Sequence, residues 1–411
     1  MVDSAFEAGS CAQPKFAAPF LGRPLFFMTS SITTYSNLRD SERAGEEIGA
    51  RVRAGLNGES PDALIVFASS RHDYGRLLRA INRCCRPQAM IGCSSAGEFT
   101  NDAYNEGAAS VVAIRSTEVK FHPVLGRGLR SDRARAARDV VDGFTGAATH
   151  DYAYRAALVL TDALAGNTDD FVERLTTLTA GKYQLFGGGA GDDANFTRTH
   201  VFYGAEAVPD AAVALEILSN KPIGIGVRHG WQPGSERMRV TEADGMRLIS
   251  IDNAPAADVV ADFARKTGQI FNRADPIPFF LHNVIGIDTP SGYRLRVPLA
   301  VNSDGSINCA AEVPAGVTIH IMTPKAGSAL AATESALEQL KGHKPSAALF
   351  FDCVATRLRM GRDFGFELDA VKQALSGSGY AGCNTYGQIA RSDGQFSGFH
   401  NCTAVVAILP A

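Results

Sequence analysis

The sequence predicts a mixed α/β protein, α+β in part, built from internally duplicated β-α-β-α-β units, with Gly-rich turns at strand ends and a β-rich central insert. Two observations carry this. Buried strand patterns alternate with amphipathic helical stretches, and the same order of elements returns later in the chain. Ordinary composition supports it: 45% apolar and 20% charged residues over 411 positions suit a globular chain of two to three domains. Forty basic against 43 acidic residues give a net charge of −3, so the totals do not point to nucleic acid, although a local basic patch can hide inside them.

In the first copy, PLFFMTSS from Pro24 reads as a strand and Asp40–Leu56 as an amphipathic helix. Ser60–Ser70 reads as a buried strand, Asp73–Cys85 as a helix, Gln88–Phe99 as a strand entering a glycine turn, and Ala108–Ile114 as the closing strand. The later copy begins with the strand GVTIHIM at Gly316, then a helix at Ser328–Leu340. A strand at Lys344–Cys353, a helix at Phe366–Leu375, a strand and turn at Gly379–Ile389, and the strand Cys402–Leu409 complete it. Pro61 answers Pro345, Gly92-Cys93 answers Gly382-Cys383, and Gly97 answers Gly387. A third, partial copy lies between: Ala156–Asp162, Thr168–Leu178, Tyr183–Asp193 and Ala211–Leu218. Single helices between strands imply parallel pairing with right-handed crossovers. Trp231–Met322 alternates and turns like β structure, with one helix at Ala254–Thr267. The expected division is a mobile tail over 1–20, an α/β domain over 21–240 and an α+β domain over 241–411.

The turns at Gly92–Glu98, Gly187–Asp193 and Gly382–Gln388 follow parallel-type strands, where α/β proteins bind ligands. They are neither Walker A loops nor dinucleotide fingerprints. Their residues form the candidate ligand site. The first turn supplies Gly92, Cys93, Ser94, Ser95 and Glu98; the second supplies Gly187, Gly188, Gly189, Asp192 and Asp193. The third supplies Gly382, Cys383, Asn384, Tyr386 and Gln388, and His400 and Asn401 are added from the approach to the last strand. Small polar groups on rigid strand ends suit an amino-acid-like metabolite. The alternative is that the glycines only permit tight turns and that Asp192 and Asp193 are local caps.

Cys93 and Cys383 occupy equivalent turn positions. They are either nucleophiles, with His400 a partner for Cys383, or small residues filling a strand end. No catalytic or metal-ligand spacing surrounds them, so a non-catalytic binding protein is expected. No run reaches transmembrane length and the N-terminus has no signal-peptide pattern, so neither membrane insertion nor secretion is expected; the expected location is the cytoplasm, which eight Cys without a Cys-x-x-Cys fit.

The turns IGCSSAGEF, FGGGAGDD and AGCNTYGQI, with the endings RVTEADG and FHNCTAVVAIL, resemble the FIST family, the paired FIST N and FIST C domains of bacterial signal-transduction proteins. The resemblance runs from about Pro24 to Ile408. It departs in Ser94 and Ser95, where Thr is common, in Gln388, where Glu is usual, and in an Arg-rich stretch at Arg357–Gly365. It implies a sensory module that binds a small ligand and signals to a partner such as a sensor histidine kinase. A stand-alone subset of the family senses nitric oxide through haem. The resemblance therefore allows one cofactor, haem b, with His400 as the iron ligand and His229 as second choice.

Overall fold

The computed structural model describes residues 29–411 apart from 291, 376 and 392–397. The expected tail over 1–20, and the start of the first strand at Pro24, lie outside the described residues. The first unit comprises β1 (Thr29–Ser36), α1 (Ser41–Gly55), β2 (Ala63–Ser69), α2 (Tyr74–Cys85), β3 (Ala89–Ser95), the hairpin β4 (Glu98–Thr100) and β5 (Tyr104–Asn105), and β6 (Ala109–Ser116). The second runs β7 (Lys120–Arg127), α3 (Arg133–Asp142), β8 (Tyr154–Thr161), α4 (Thr168–Leu178), β9 (Gln184–Gly189), the hairpin β10 (Val201–Tyr203) and β11 (Glu206–Val208), and β12 (Ala211–Ser219).

The third unit opens with β13 (Gly224–Arg228) and is then interrupted. The insert holds β14 (Trp231–Pro233), β15 (Met238–Asp244), β16 (Arg247–Ile251), β17 (Ala254–Pro255), α5 (Ala256–Lys266) and α6 (Ile277–Phe280). It continues through β18 (Val284–Thr289), β19 (Gly292–Arg296), β20 (Pro298–Val301), β21 (Ile307–Cys309) and β22 (Thr318–Pro324). The third unit resumes with α7 (Ser328–Glu338), β23 (Pro345–Cys353), α8 (Val354–Met360), α9 (Phe364–Ala374), β24 (Tyr380–Thr385), the hairpin β25 (Gln388–Arg391) and β26 (Gly398–His400), and β27 (Ala404–Pro410).

Three six-stranded sheets result, with one connectivity. Their orders are β1-β6-β2-β3-β10-β11, β7-β12-β8-β9-β25-β26 and β13-β27-β23-β24-β4-β5. Each contains one parallel pair, β2/β3, β8/β9 or β23/β24, and is otherwise antiparallel. The all-parallel expectation is corrected here, because the closing strand of each unit returns antiparallel beside the first strand of the pair. The hairpin after each parallel pair leaves its own sheet. Hairpin β4–β5 joins β24, β10–β11 joins β3 and β25–β26 joins β9, a cyclic exchange among the three units. A second correction concerns GVTIHIM. It forms β22 in the insert's sheet, and the first strand of the third unit is β13, about 90 residues earlier in the chain. The division expected at 240/241 falls inside β15.

Sequence pattern explains the layers. Strands such as β2 (ALIVFAS) are apolar on both faces because both faces are covered. Inner faces of the three sheets share one core, in which Phe67, Phe186 and Phe351 represent each unit. The outer faces pack under helix pairs: α1 and α2 over the first sheet, α3 and α4 over the second, α7 and α9 over the third. Asp40, Asp73 and Asp132 cap α1, α2 and α3, each carboxylate accepting from a backbone N–H three residues on at 2.8, 3.0 and 2.9 Å. The insert has its own core around Phe279, Ile285 and Ile319. Its buried Arg296 pairs with Asp169 of α4 and donates to the Phe399 carbonyl at 3.2 Å, so the insert is tied to the second sheet.

Gly92, Gly187 and Gly382 occupy one place in the three units. A Cβ there would sit 2.0, 2.1 and 1.8 Å from the carbonyl oxygens of Val66, Val159 and Phe350 on the paired strand. Backbone atoms cannot yield as a flexible side chain can, so Gly92→Ala is expected to cost about 3 kcal/mol. Gly365, on α9 with nothing within 4 Å, is the control: its change to Ala should be neutral or stabilise by about 1 kcal/mol. Urea denaturation of both variants checks this, and equal midpoints would contradict the close approach.

Candidate functional site

The three glycine turns converge, and they do so mainly on one another. The backbone N–H of Ala96 donates to Asn384 O at 3.0 Å, that of Gly191 to Ser94 O at 2.9 Å, and that of Tyr386 to Gly189 O at 2.9 Å. Further bonds run from Asn384 N to Gly97 O at 2.9 Å, Gly189 N to Gly387 O at 2.8 Å and Asp193 N to Ser95 O at 3.0 Å. Each turn thereby satisfies its neighbour's backbone, as buried peptide groups require. Gly97 and Gly387, at φ +135° and +138°, allow this reversal, which side-chain-bearing residues rarely adopt.

The polar side chains of the predicted set are largely committed to the same ring. Asp192 accepts from the N–H groups of Phe196, Thr197 and Arg198 at 2.8, 2.7 and 2.8 Å, and from the Tyr386 hydroxyl. Although burial works against the charge, these donors hold its carboxyl below the usual range, while burial and the Asp192 carboxylate raise the Tyr386 phenol above its own. Asp193 accepts from Ser69 Oγ at 2.8 Å and Ser70 N at 2.8 Å, pinning the second turn to the end of β2. Both aspartates thus act as structural acceptors: Asp192 caps the loop that follows it, whereas Asp193 reaches back to the distant end of β2. Ser94 Oγ accepts from His200 N at 2.9 Å. Asn384 differs: its amide is fully buried and neither polar atom has a hydrogen-bond partner among the described residues.

Glu98 and Gln388 occupy matching places. Ser95 Oγ donates to Glu98 Oε1 at 2.5 Å and Ala108 N to Oε2 at 3.0 Å. Gln388 Nε2 donates to Thr385 Oγ1 at 2.8 Å and Oε1 accepts from Thr403 N at 3.3 Å. Burial pushes the Glu98 carboxyl up to about 8, with the Asp193 charge adding to the effect, so at neutral pH it resembles the uncharged Gln388.

Cys93 and Cys383 are fully buried, facing each other in the shared core. Burial and the neighbouring Cys93 raise the Cys383 thiol well above its ordinary value. Of the two readings of this pair, such burial favours small residues filling a strand end, since the thiolate is the nucleophile and burial disfavours it.

His400 lies on β26 opposite Gln388 and is 2% exposed. His229 is engaged at both ring nitrogens: Nδ1 accepts from Trp231 N at 3.3 Å, so Nε2 carries the hydrogen toward Tyr293 O at 3.2 Å. Burial pushes it down to about 4.

One apolar cavity of about 110 Å³ lies beside the ring. Ala163 and Leu164 after β8 form one wall, Cys353, Val354 and Ala355 at the start of α8 another, and Phe280 and Val297 of the insert the roof. Of the predicted residues, Tyr386 and Asn401 line it. His400 does not, and the volume is below the roughly 300–1,000 Å³ of sites for cofactor-sized ligands. These residues do not fit haem b.

Sequence reading missed Cys353 and the insert's apolar wall, because neither lies in a glycine turn. Cys353 is the remaining chemical feature of the cavity. A hydrogen bond from the Cys402 thiol, helped by backbone N–H groups and opposed by burial, brings its own thiol down to about 7.

The FIST N domain matches residues 62–254 and the FIST C domain residues 256–391. The chain belongs to the FIST family, whose domains are sensory, signal-transduction domains. An uncharacterized protein of Methanocaldococcus jannaschii is 22% identical over 244 residues, which is 55% of this chain and 44% of that protein; the match spans less than half of its length. The structure of PurLQS from Thermotoga maritima aligns with 93% of this chain and 72% of that one, at 10% identity and a TM-score of 0.22. Among the described residues no helix is long and apolar enough to cross a membrane, and no cluster of three or more His, Cys, Asp or Glu is placed to hold a metal ion.

Two measurements test the site. Because the folded state holds the Glu98 proton more tightly than the unfolded chain, it binds more protons between about pH 4.5 and about pH 8. Stability from this group is therefore full below that window and falls as pH rises through it. Glu98→Gln removes the effect, so the variant should gain melting temperature relative to the parent from pH 5 to pH 9; a pH-independent difference would refute the assignment. In native alkylation followed by peptide mass spectrometry, Cys353 should label before Cys93 and Cys383. Earlier labelling of either core thiol would contradict their burial.

Proposed function

We propose that this chain is a small-molecule sensor whose ligand seats in the apolar cavity between the turn ring and the insert. The observation that carries the reading is that one cavity is walled by three parts of the fold: the second unit, the third unit and the insert. A molecule filling it changes how the insert packs on the other two. Its effect on the protein is limited by its differential affinity for the two packings. The lining favours an apolar body, and Asn401 places a side-chain amide at its polar side, as for an amino acid with an aliphatic side chain. The partner reading that shift is a signalling protein such as a sensor histidine kinase, a reading supported by the family's sensory role and acting in the cytoplasm.

Thermal melting against a panel of aliphatic and aromatic amino acids at millimolar concentration tests this. A ligand at about 100 times its Kd should stabilise by about 2.7 kcal/mol. Ala355→Phe, which fills the cavity, should fold and lose that response. If no member of the panel raises the melting temperature of the parent, or if Ala355→Phe responds equally, the reading falls.

A further inference from the structure

A second concavity, sharing no lining residue with the apolar cavity, lies at the opposite ends of the strands. It encloses about 690 Å³, within the roughly 300–1,000 Å³ range of small-ligand sites. It is walled by the starts of β8, β9 and β13 and by the end of β25. Arg155, Lys182, Arg228, Arg391 and His343 line it, and among the described residues no carboxylate does. In a chain with more acidic than basic residues, this is a strongly uneven allocation of charge.

Two of the cations are held in place with no ion pair to another described residue. Arg155 donates through Nε to Gly146 O and through Nη2 to Thr149 O, both at 2.8 Å. Arg391 donates through Nη1 to Tyr183 O at 3.0 Å. Backbone carbonyls fix these guanidinium groups while leaving their net charge in place. Gly181, at φ +72°, gives Arg391 its room, since a Cβ there would lie 2.9 Å from Nη2.

The fold does not require this charge. Ala63, Ala156 and Ala347 are equivalent, pairing with Ile114, Ile217 and Leu409 on the returning strands. The residue before each is Asp62, Arg155 and Ser346. In the first unit the acid is used locally, Asp62 accepting from Gln88 Nε2 and Ser116 N at 2.8 Å each. Only the second unit places a cation there. Tyr154, 40% exposed, adds an aromatic ring to the same wall.

We infer that this cleft binds a small phosphorylated ligand of the nucleoside polyphosphate class. The planar guanidinium groups and the lysine take the phosphates, and the Tyr154 ring stacks on the base. The inference is independent of the apolar-cavity reading, since neither site uses a residue of the other.

Calorimetry of the full chain with ATP, adenosine and tripolyphosphate tests it, at low and at physiological salt. Saturable one-to-one binding of ATP, weakening with salt and tighter than that of tripolyphosphate, is the expected result. Lys182→Glu, a change at an exposed side chain, should weaken ATP binding about tenfold, as should Arg391→Gln. Thermal melting without ligand confirms that both variants fold. Absence of ATP binding at millimolar concentration overturns the proposal. Equal affinity for tripolyphosphate and ATP overturns the nucleotide class, and an unchanged affinity in the folded Lys182→Glu variant overturns the site.

Discussion

The structure depends on six backbone hydrogen bonds that join three glycine turns into a closed ring. Each turn spends its buried N–H and C=O groups on the next, and each following hairpin then adds to the neighbouring sheet. A strand edge left unpaired at this depth would carry unsatisfied peptide groups, and the exchange removes three such edges together. No unit completes its sheet alone: each takes a hairpin from one of the others and gives its own to the remaining one. The glycines at 92, 187 and 382 are the condition for this, because the paired strand's carbonyl occupies the space a side chain would fill.

The same ring decides what the turn residues are free to do. Ser94, Ser95, Glu98, Asp192 and Asp193 read in sequence as a polar ligand site, yet in the fold they close loops and cap neighbouring backbone. Residues with matching places do matching work: Glu98 and Gln388 both bridge a hydroxyl three residues back and a backbone N–H from the returning strand. A buried glutamate does this by keeping its proton, which costs free energy near neutrality and makes it titrate with folding.

Departures from threefold repetition mark where the three units differ in chemistry. The insert between β13 and α7 roofs one strand end and creates the apolar cavity there. At the other end of the sheets, Arg155 stands where the first unit has an aspartate and the third a serine, and the cationic cleft follows. Both features lie outside the common architecture, so packing of the shared core does not account for them.

From the sequence by itself come the alternation of buried strands and amphipathic helices, the three glycine turns and the β-rich insert, and with them the family. These rest on local periodicity and on backbone freedom at glycine, both written in neighbouring residues. Strand partners were not legible in the same way. GVTIHIM and β13 are both short apolar strands, and only packing assigns the former to the insert and the latter to the third sheet. The hairpin exchange, the commitment of Asp192 and Asp193, and the meeting of Cys353 with Cys402 join residues far apart in the chain. Periodicity reports which face of an element is buried but carries no term for which other element covers it, and that choice is made by the tertiary structure alone.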